Sequence, residues 1–244
     1  MESGIFVYKR SLSKEGLFAV KEFDIHIRSK SDLIKAINKF GFVPYFRNSV
    51  EGFSIEENID AKYWFGGVEG AWEWKGPVIQ KTGCAYGKFF ERKAVYISRE
   101  LFPDFANYRR NGYDFDALYE DGFAKRSDKF LFDLIDENAP IISKQLKKLG
   151  DYRKGGNKGF DAAVTRLQEQ CYVLISDFVY MTDKLGQPYG WGVAEYSTPE
   201  KFIGDDFTQN VYKREPKESY EIIFEHLQKL LPKATDEQIR KILK

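Results

Sequence analysis

The apolar and polar positions along the chain fall into segments of two periods. In "GLFAVKEFDIHIR" (16–28), Phe18 and Val20 are set against Lys21, and Phe23, Ile25 and Ile27 alternate with Glu22, Asp24 and His26. Period two predicts a half-buried strand, paired with "GIFVYKR" across the loop "SLSKEG". "SKSDLIKAINKFG" then carries Ser29 and Asp32 at capping-box spacing, places Leu33, Ile34 and Ile37 on one face and stops at Gly41. This predicts a short helix. "CAYGKFFERKAVYIS" reads as a strand pair that turns near "ERK".

From residue 127 the period changes. "SDKFLFDLIDEN" predicts a helix capped by Ser127 or Asp128 with Phe130, Leu131, Leu134 and Ile135 inward, and "PIISKQLKKLGDY" a second helix ended by Gly150. "KGFDAAVTRLQEQ" predicts a third, with Phe160, Ala163, Val164 and Leu167 at i, i+3, i+4 and i+7. "CYVLISDFVYM" and "YGWGVAEYS" follow as two strands joined by "TDKLGQP", which holds the turn residues Asp183, Gly186 and Pro188. Three short helices and a hairpin are the order of a winged helix-turn-helix. Pro216 suits the first position of a helix over "PKESYEIIFEHLQKLL", and Thr235 with Gln238 forms a capping box for a last short helix. The expected fold is α+β: an aromatic-rich mixed α/β region over 1–126, a winged helix-turn-helix over 127–203 and a helical tail over 204–244.

Composition narrows the chemistry. With 244 residues, 43% hydrophobic and 31% charged, the chain can bury a substantial core. No stretch approaches a membrane span, and the first 18 residues have no apolar segment of signal-peptide type, so a cytoplasmic protein is expected. Cys84 and Cys171 lack a CxxC or Cys/His partner pattern and read as small buried hydrophobes. The two histidines, His26 and His226, leave no room for a histidine triad or a multi-histidine metal site. Neither a metal nor a cofactor is expected, and hydrolytic chemistry would fall to carboxylates, amides, Lys or Tyr.

Residues 42–119 hold 19 of the 40 Phe, Tyr and Trp, more than their share of the length. These rings can build a core, or line a pocket around Trp72, Trp74 and Tyr86 that stacks a planar base. Glu56, Glu57, Glu73, Asp114 and Asp116 are the acids there set beside an aromatic or a compact motif. A carboxylate against an aromatic wall can be desolvated and tuned for acid or base work. The stretch "FANYRRNGYDFDALYEDGFAKR", with Arg109 and Arg110, reads as a solvated charged loop.

A net charge of +1 gives no global argument for nucleic acid, but its distribution does. Residues 143–166 carry Lys144, Lys147, Lys148, Arg153, Lys154, Lys158 and Arg166 against Asp151 and Asp161, a local charge of +5 that leaves −4 for the rest. That is the segment a helix-turn-helix would lay on DNA, and "RKGGNKG" adds backbone amides able to approach phosphate. The hairpin tip, with Lys184, Gln187, Tyr189 and Trp191, is a second candidate contact. A solvated lysine-rich face on a protein-interaction or ligand-binding module is the competing reading.

"KFLFDLIDEN", "SKQLKKLG", "FDAAVTRLQEQCYV" and "YGWGVAEYSTPE", with "FGFVPYFRNSVEGFSIEE", "AWEWKGPVIQ", "AYGKFF" and "FPDFANYRRNGYDFDA", resemble blocks of the AlkZ-related proteins. These are small relatives of the bacterial AlkZ and YcaQ DNA glycosylases, which are built from winged-helix modules. The resemblance implies DNA as partner, a bacterial source and a link to DNA repair; a membrane is not expected, since no apolar stretch is long enough to span one. It also implies, as an alternative, hydrolysis of the N-glycosidic bond of alkylated or cross-linked bases. The glycosylases use a Gln-x-Gln signature to position water and stabilise positive charge, which suits a cationic leaving base because amides are poor proton acceptors. Gln168 and Gln170 match that signature, but they fall in the later module, whereas the glycosylases carry it in an earlier one. Catalytic candidates are therefore Glu73, Asp114, Asp116, Gln168 and Gln170, with an active site expected around "AWEWK" rather than "LQEQ".

Overall fold

In the computed structural model, which describes residues 22–65 and 68–244, the first helix is α1, Lys30–Phe40. Ser29 caps it by accepting from the Asp32 N–H, the Asp32 carboxylate accepts back from the Arg28 N–H, and Gly41 ends it with a φ of 76°. Leu33, Ala36, Ile37 and Phe40 are its buried stripe. The strand expected over 16–28 is not formed where it can be followed. Residues 22–28 run extended, tied by Phe23 N–H to Leu230 O (2.9 Å) and by a single parallel bridge between Ile27 and Ile59. The partner "GIFVYKR" and residues 16–21 lie outside the described residues.

Two three-stranded antiparallel sheets follow. The first, in the order β1-β3-β2, is made of β1 (Phe42–Pro44), β2 (Ala85–Phe90) and β3 (Lys93–Ile97), with Phe42 and Ala85 both opposite Ile97. The turn expected near "ERK" lies at Glu91 and Arg92, both at positive φ. Between β1 and β2 lie α2 (Ala61–Phe65) and α3 (Ala71–Thr82). The stretch read as a charged loop is helical instead: α4 (Phe102–Arg110) and α5 (Phe115–Glu120) bury Phe102, Phe105 and Phe115. Arg110 there is 3% exposed, bonded to Glu200 (2.6 Å), the Tyr212 hydroxyl (3.0 Å) and Cys171 O (2.9 Å). Burial works against its charge, but Glu200 and Tyr212 hold the guanidinium above its ordinary value.

The second sheet, in the order β4-β6-β5, closes a segment with the order helix, strand, helix, helix, strand, strand. It comprises α6 (Arg126–Asn138), β4 (Ile141–Ile142), α7 (Ser143–Leu149), α8 (Phe160–Glu169), β5 (Leu174–Thr182) and β6 (Pro188–Ser197). α8 buries Phe160, Ala163, Val164 and Leu167 as its spacing predicts. α6 is capped at Lys125, two residues before Ser127 and three before Asp128, and Asp128 points inward to accept two bonds from Arg166 (2.8 and 2.5 Å). Leu131 and Ile135 are buried, whereas Phe130, expected inward, is 41% exposed. The hairpin turn is held by the Asp183 carboxylate, which accepts from Leu185 N–H and Gln187 N–H.

The chain ends in α9 (Pro199–Phe202), α10 (Asp205–Thr208), α11 (Pro216–Leu230) and α12 (Asp236–Ile242). Pro216 opens α11, and Thr235 with Gln238 caps α12, as their positions predict. α11 packs on α4, where Asn107 bonds Ser219 and Arg214 O and Ser219 donates to Asp104. The result is a mixed α+β structure. Among the described residues no helix is long and apolar enough to cross a membrane.

Candidate functional site

"AWEWKGPVIQ" forms α3, despite Gly76 and Pro77 inside it. Glu73 at its third position accepts from the Gly70 N–H (2.9 Å), which secures the first turn, and Gly83 ends it with a φ of 62°. On a helix, residues three apart share a face and residues two apart diverge. Trp72 and Lys75 therefore face one way and Trp74 another. Trp74 is 4% exposed and packs on Tyr63 (5.6 Å between rings), so the expected trio of Trp72, Trp74 and Tyr86 does not share a pocket.

Trp72 instead enters a cluster built from four parts of the chain. Its ring lies 5.5 Å from Tyr45 and Trp64, 5.7 Å from Phe65 and 5.9 Å from Trp191. Tyr86 joins from the other side of Tyr45, 6.4 Å from it and 4.5 Å from Tyr96, and meets Phe178 of β5 at 5.8 Å. The cluster forms because α3 crosses β5 at Gly76. A Cβ there would come within 2.3 Å of the Asp177 carboxylate, and Gln80 donates to Ser176 O across the same contact (2.8 Å).

The cluster's cation is Lys75. Its ammonium stands 4.0 Å from the Phe178 ring centre, 4.6 Å from Trp72 and 5.8 Å from Tyr45, and it has no ion pair among the described residues. Burial lowers its pKa to about 8, while the Glu73 carboxylate pulls the other way. Burial also raises the Tyr45, Tyr86 and Tyr96 hydroxyls far above their ordinary range, so they stay protonated. The Tyr45 and Tyr96 hydroxyls and Trp72 Nε1 are buried with no hydrogen-bond partner among the described residues. Each such group costs about 1–3 kcal/mol when left unpaired, and Tyr45 stands against both of the others.

The other four candidate acids are engaged with groups outside this cluster. Glu56 accepts from the Arg47 N–H (2.9 Å), and Glu57 from the Gly52 N–H and the Ser54 hydroxyl. Asp114 caps α5 through the Ala117 N–H (2.8 Å), and Asp116 is an exposed partner of Lys129 (3.3 Å). Among the described residues no group of His, Cys, Asp and Glu is placed to hold a metal ion.

The two glutamines part ways. Gln168 is 1% exposed; its oxygen accepts from the Lys88 N–H (3.1 Å) and its nitrogen donates to Val164 O (3.1 Å). It is a joint between α8 and β2, not a group available to phosphate or water, because β2 lies against the face of α8 on which it sits. Gln170 is the half-buried C-cap of α8. Leu167 and Val173 are in the core.

The candidate basic residues also divide. Lys144, Lys148, Lys154 and Lys158 are exposed and without ion pairs among the described residues; Arg153 is exposed and bonded to Asp151 (2.5 Å). Lys147 is half-buried, 4.6 Å over the Phe160 ring and 3.5 Å from Asp161. Arg166 is held by the buried Asp128, so its charge is already compensated. The face of α8 left fully open consists of Asp161 and Ala162, with Thr165 bonded to Lys88. At the hairpin tip Lys184 and Gln187 are exposed, with Leu185 (85%) and Tyr189 (55%), and Trp191 (68%) lies further along β6 against Trp72. The hairpin therefore brings one candidate surface to the edge of the other.

Sequence reading missed Lys75, Tyr45, Phe178 and Trp191 as members of one site. The available signal was the Trp-x-x-Lys spacing behind a Gly70 and Glu73 helix start, which the Gly-Pro pair masked.

An α+β chain with a lysine under aromatic rings and a cationic surface beside a hairpin is the class these observations define. The sequence matches the family described as AlkZ related over residues 27–244, and the chain belongs to that family. No curated protein and no solved structure matches it.

Proposed function

We propose that this AlkZ-related protein binds DNA through a winged helix-turn-helix made of α6, β4, α7, α8 and the β5–β6 hairpin, in service of DNA repair. The observation that carries the reading is the run of exposed lysines at 144, 148, 154 and 158, without ion pairs among the described residues, in a segment whose sheet order, β4-β6-β5, places the last strand in the middle. Since α8 rests on β2 and offers Asp161 and Ala162, phosphate contacts come from α7, the 151–158 loop and the hairpin tip rather than from the length of α8. Such contacts position a protein without reading bases.

The test is binding of a DNA duplex by fluorescence anisotropy across a salt series. Affinity should fall steeply with salt, and Lys144→Glu/Lys148→Glu/Lys158→Glu should flatten the log-log slope by about 3, roughly 0.9 per lost phosphate contact. Unchanged affinity and slope in the triple variant would remove the reading.

A second reading, base excision of the glycosylase type, is favoured by one specific feature: the buried Tyr45, Tyr96 and Trp72 polar atoms, without partners among the described residues, near Glu73 and Lys75. It would run through Glu73, not Gln168. Alkylated duplex incubated with stoichiometric protein should then yield abasic sites, read as alkali-induced breaks, and an intact duplex would count against it.

A further inference from the structure

We propose that Lys75 is a nucleophilic amine that captures the aldehyde of an abasic deoxyribose as an imine. The substrate class rests on the DNA-binding reading; the amine's reactivity does not.

A lysine in water is almost wholly ammonium at neutral pH and cannot attack a carbonyl. Lys75 is enclosed by Phe178, Trp72 and Tyr45, with no carboxylate or carbonyl among the described residues within bonding distance to fix its proton. The ring faces attract the cation, but the loss of water weighs more, and titration near 8 leaves about a tenth of the amine neutral at pH 7. Desolvation in an apolar enclosure is the standard route to a reactive lysine. Glu73, two residues earlier on α3, is the acid whose charge reaches both Lys75 and Tyr45.

The surroundings fit a sugar that has lost its base. Phe65 (70% exposed) and Trp191 (68%) rim Trp72, one of the three rings around the amine, so open flat rings are at hand to stack on neighbouring bases. Phe178 and Trp191 both belong to the β5–β6 hairpin, so DNA gripped by the hairpin is delivered to Lys75. An abasic sugar needs no base-sized cavity, only access for C1′.

The chemistry balances without an oxidant or reductant. Lys75 Nζ adds to C1′ of the ring-opened aldehyde, and the carbonyl oxygen leaves as water, giving a protonated imine. Water takes a C2′ proton, the electron pair forms a C2′–C3′ double bond conjugated with the imine, and the C3′–O bond breaks to release the phosphate it carried. Water then hydrolyses the unsaturated imine and frees the amine.

Full-length protein is incubated with a duplex carrying one abasic site and sodium cyanoborohydride, which reduces an imine to a stable amine. Binding is followed alongside by mobility shift. Wild type should give a covalent protein–DNA band, and Lys75→Arg, which keeps a cation over the rings but no nucleophile, should bind while losing the band by on the order of 100-fold. Wild type that binds without trapping, or Lys75→Arg that traps as well, overturns the proposal. Failure to bind at low salt removes the DNA reading and the abasic substrate with it. Propanal with cyanoborohydride at pH 7.5, mapped by peptide mass spectrometry, then decides the amine: preferential alkylation of Lys75 over Lys144 and Lys148 upholds it, and equal or weaker alkylation overturns it.

Discussion

The two sheets have the same strand number and opposite relations to solvent. In the first, all of β1 is buried and β2 reads buried at five of its six positions, because α1 lies on β1, α8 and β5 lie on β2, and Phe102 and Phe105 of α4 meet Phe42, Phe89 and Phe90. In the second, β5 is buried over Leu174–Ser176 and then emerges, and its hairpin carries Leu185, Tyr189 and Trp191 largely in solvent. Aromatic residues thus do different work in the two places. Phe42, Phe89 and Phe90 are core; Trp72, Phe65 and Trp191 sit where the buried sheet's helix layer meets the exposed hairpin. At that seam largely exposed rings stand against a buried framework.

The contrast can be attacked at its joints. The largest expected effect is at Arg110, which ties α4 to the Cys171 carbonyl and to Glu200. Arg110→Ala strands these partners and should cost roughly 3–5 kcal/mol, read by urea unfolding. A loss under 1 kcal/mol would mean the two regions do not depend on this tie. Next is Gly76, where a methyl group meets Asp177. Gly76→Ala should cost about 1–3 kcal/mol and move tryptophan fluorescence as α3 backs away from the hairpin; an unshifted spectrum would contradict the close crossing.

The glutamine pair should split. Gln168→Ala leaves the Lys88 N–H unpaired and should destabilise by about 2 kcal/mol, whereas Gln170→Ala should stay within about 0.5 kcal/mol. Equal effects would argue against the burial of one and not the other.

Lys75 supplies a smaller, pH-dependent effect. Its pKa falls from 10.5 unfolded to about 8 folded, so the folded state binds fewer protons between those values, and stability gains with pH there. Below about pH 8 both states carry the ammonium, and the folded one bears its full burial cost. Lys75→Met should therefore be more stable than wild type at pH 7, by about 1 kcal/mol after allowance for solvent screening, and the gap should shrink by pH 9.5. A gap constant with pH would assign the effect to packing alone. Least affected should be the exposed lysines: replacing Lys144, Lys148 or Lys158 should alter stability by under about 0.5 kcal/mol each while DNA affinity responds.

Much of the secondary structure was legible because its causes are local. Ser29, Thr235, Gly41 and Pro216 act within one helical turn, and the i, i+3, i+4, i+7 run of Phe160, Ala163, Val164 and Leu167 names its own buried face. α4 and α5 were not, because their arginines and aspartates look solvated until Arg110 meets Glu200, ninety residues away. The site was less legible still. Glu73, Trp72 and Tyr86 could be named, but Trp72 and Trp74 looked like partners in a string and are turned apart by a helix that Gly76 and Pro77 disguised.

Periodicity and caps were enough to establish an α+β chain, six of the twelve helices described, both hairpins and the cationic stretch at 143–166, since each depends on residues a few positions apart. Packing alone assigned Gln168 to a joint with Lys88, Arg166 to Asp128, and Lys75 to a cage with Tyr45 and Phe178. Those partners are 80, 38, 30 and 103 positions distant, and no local period records which surfaces will close on one another when the chain buries its apolar area.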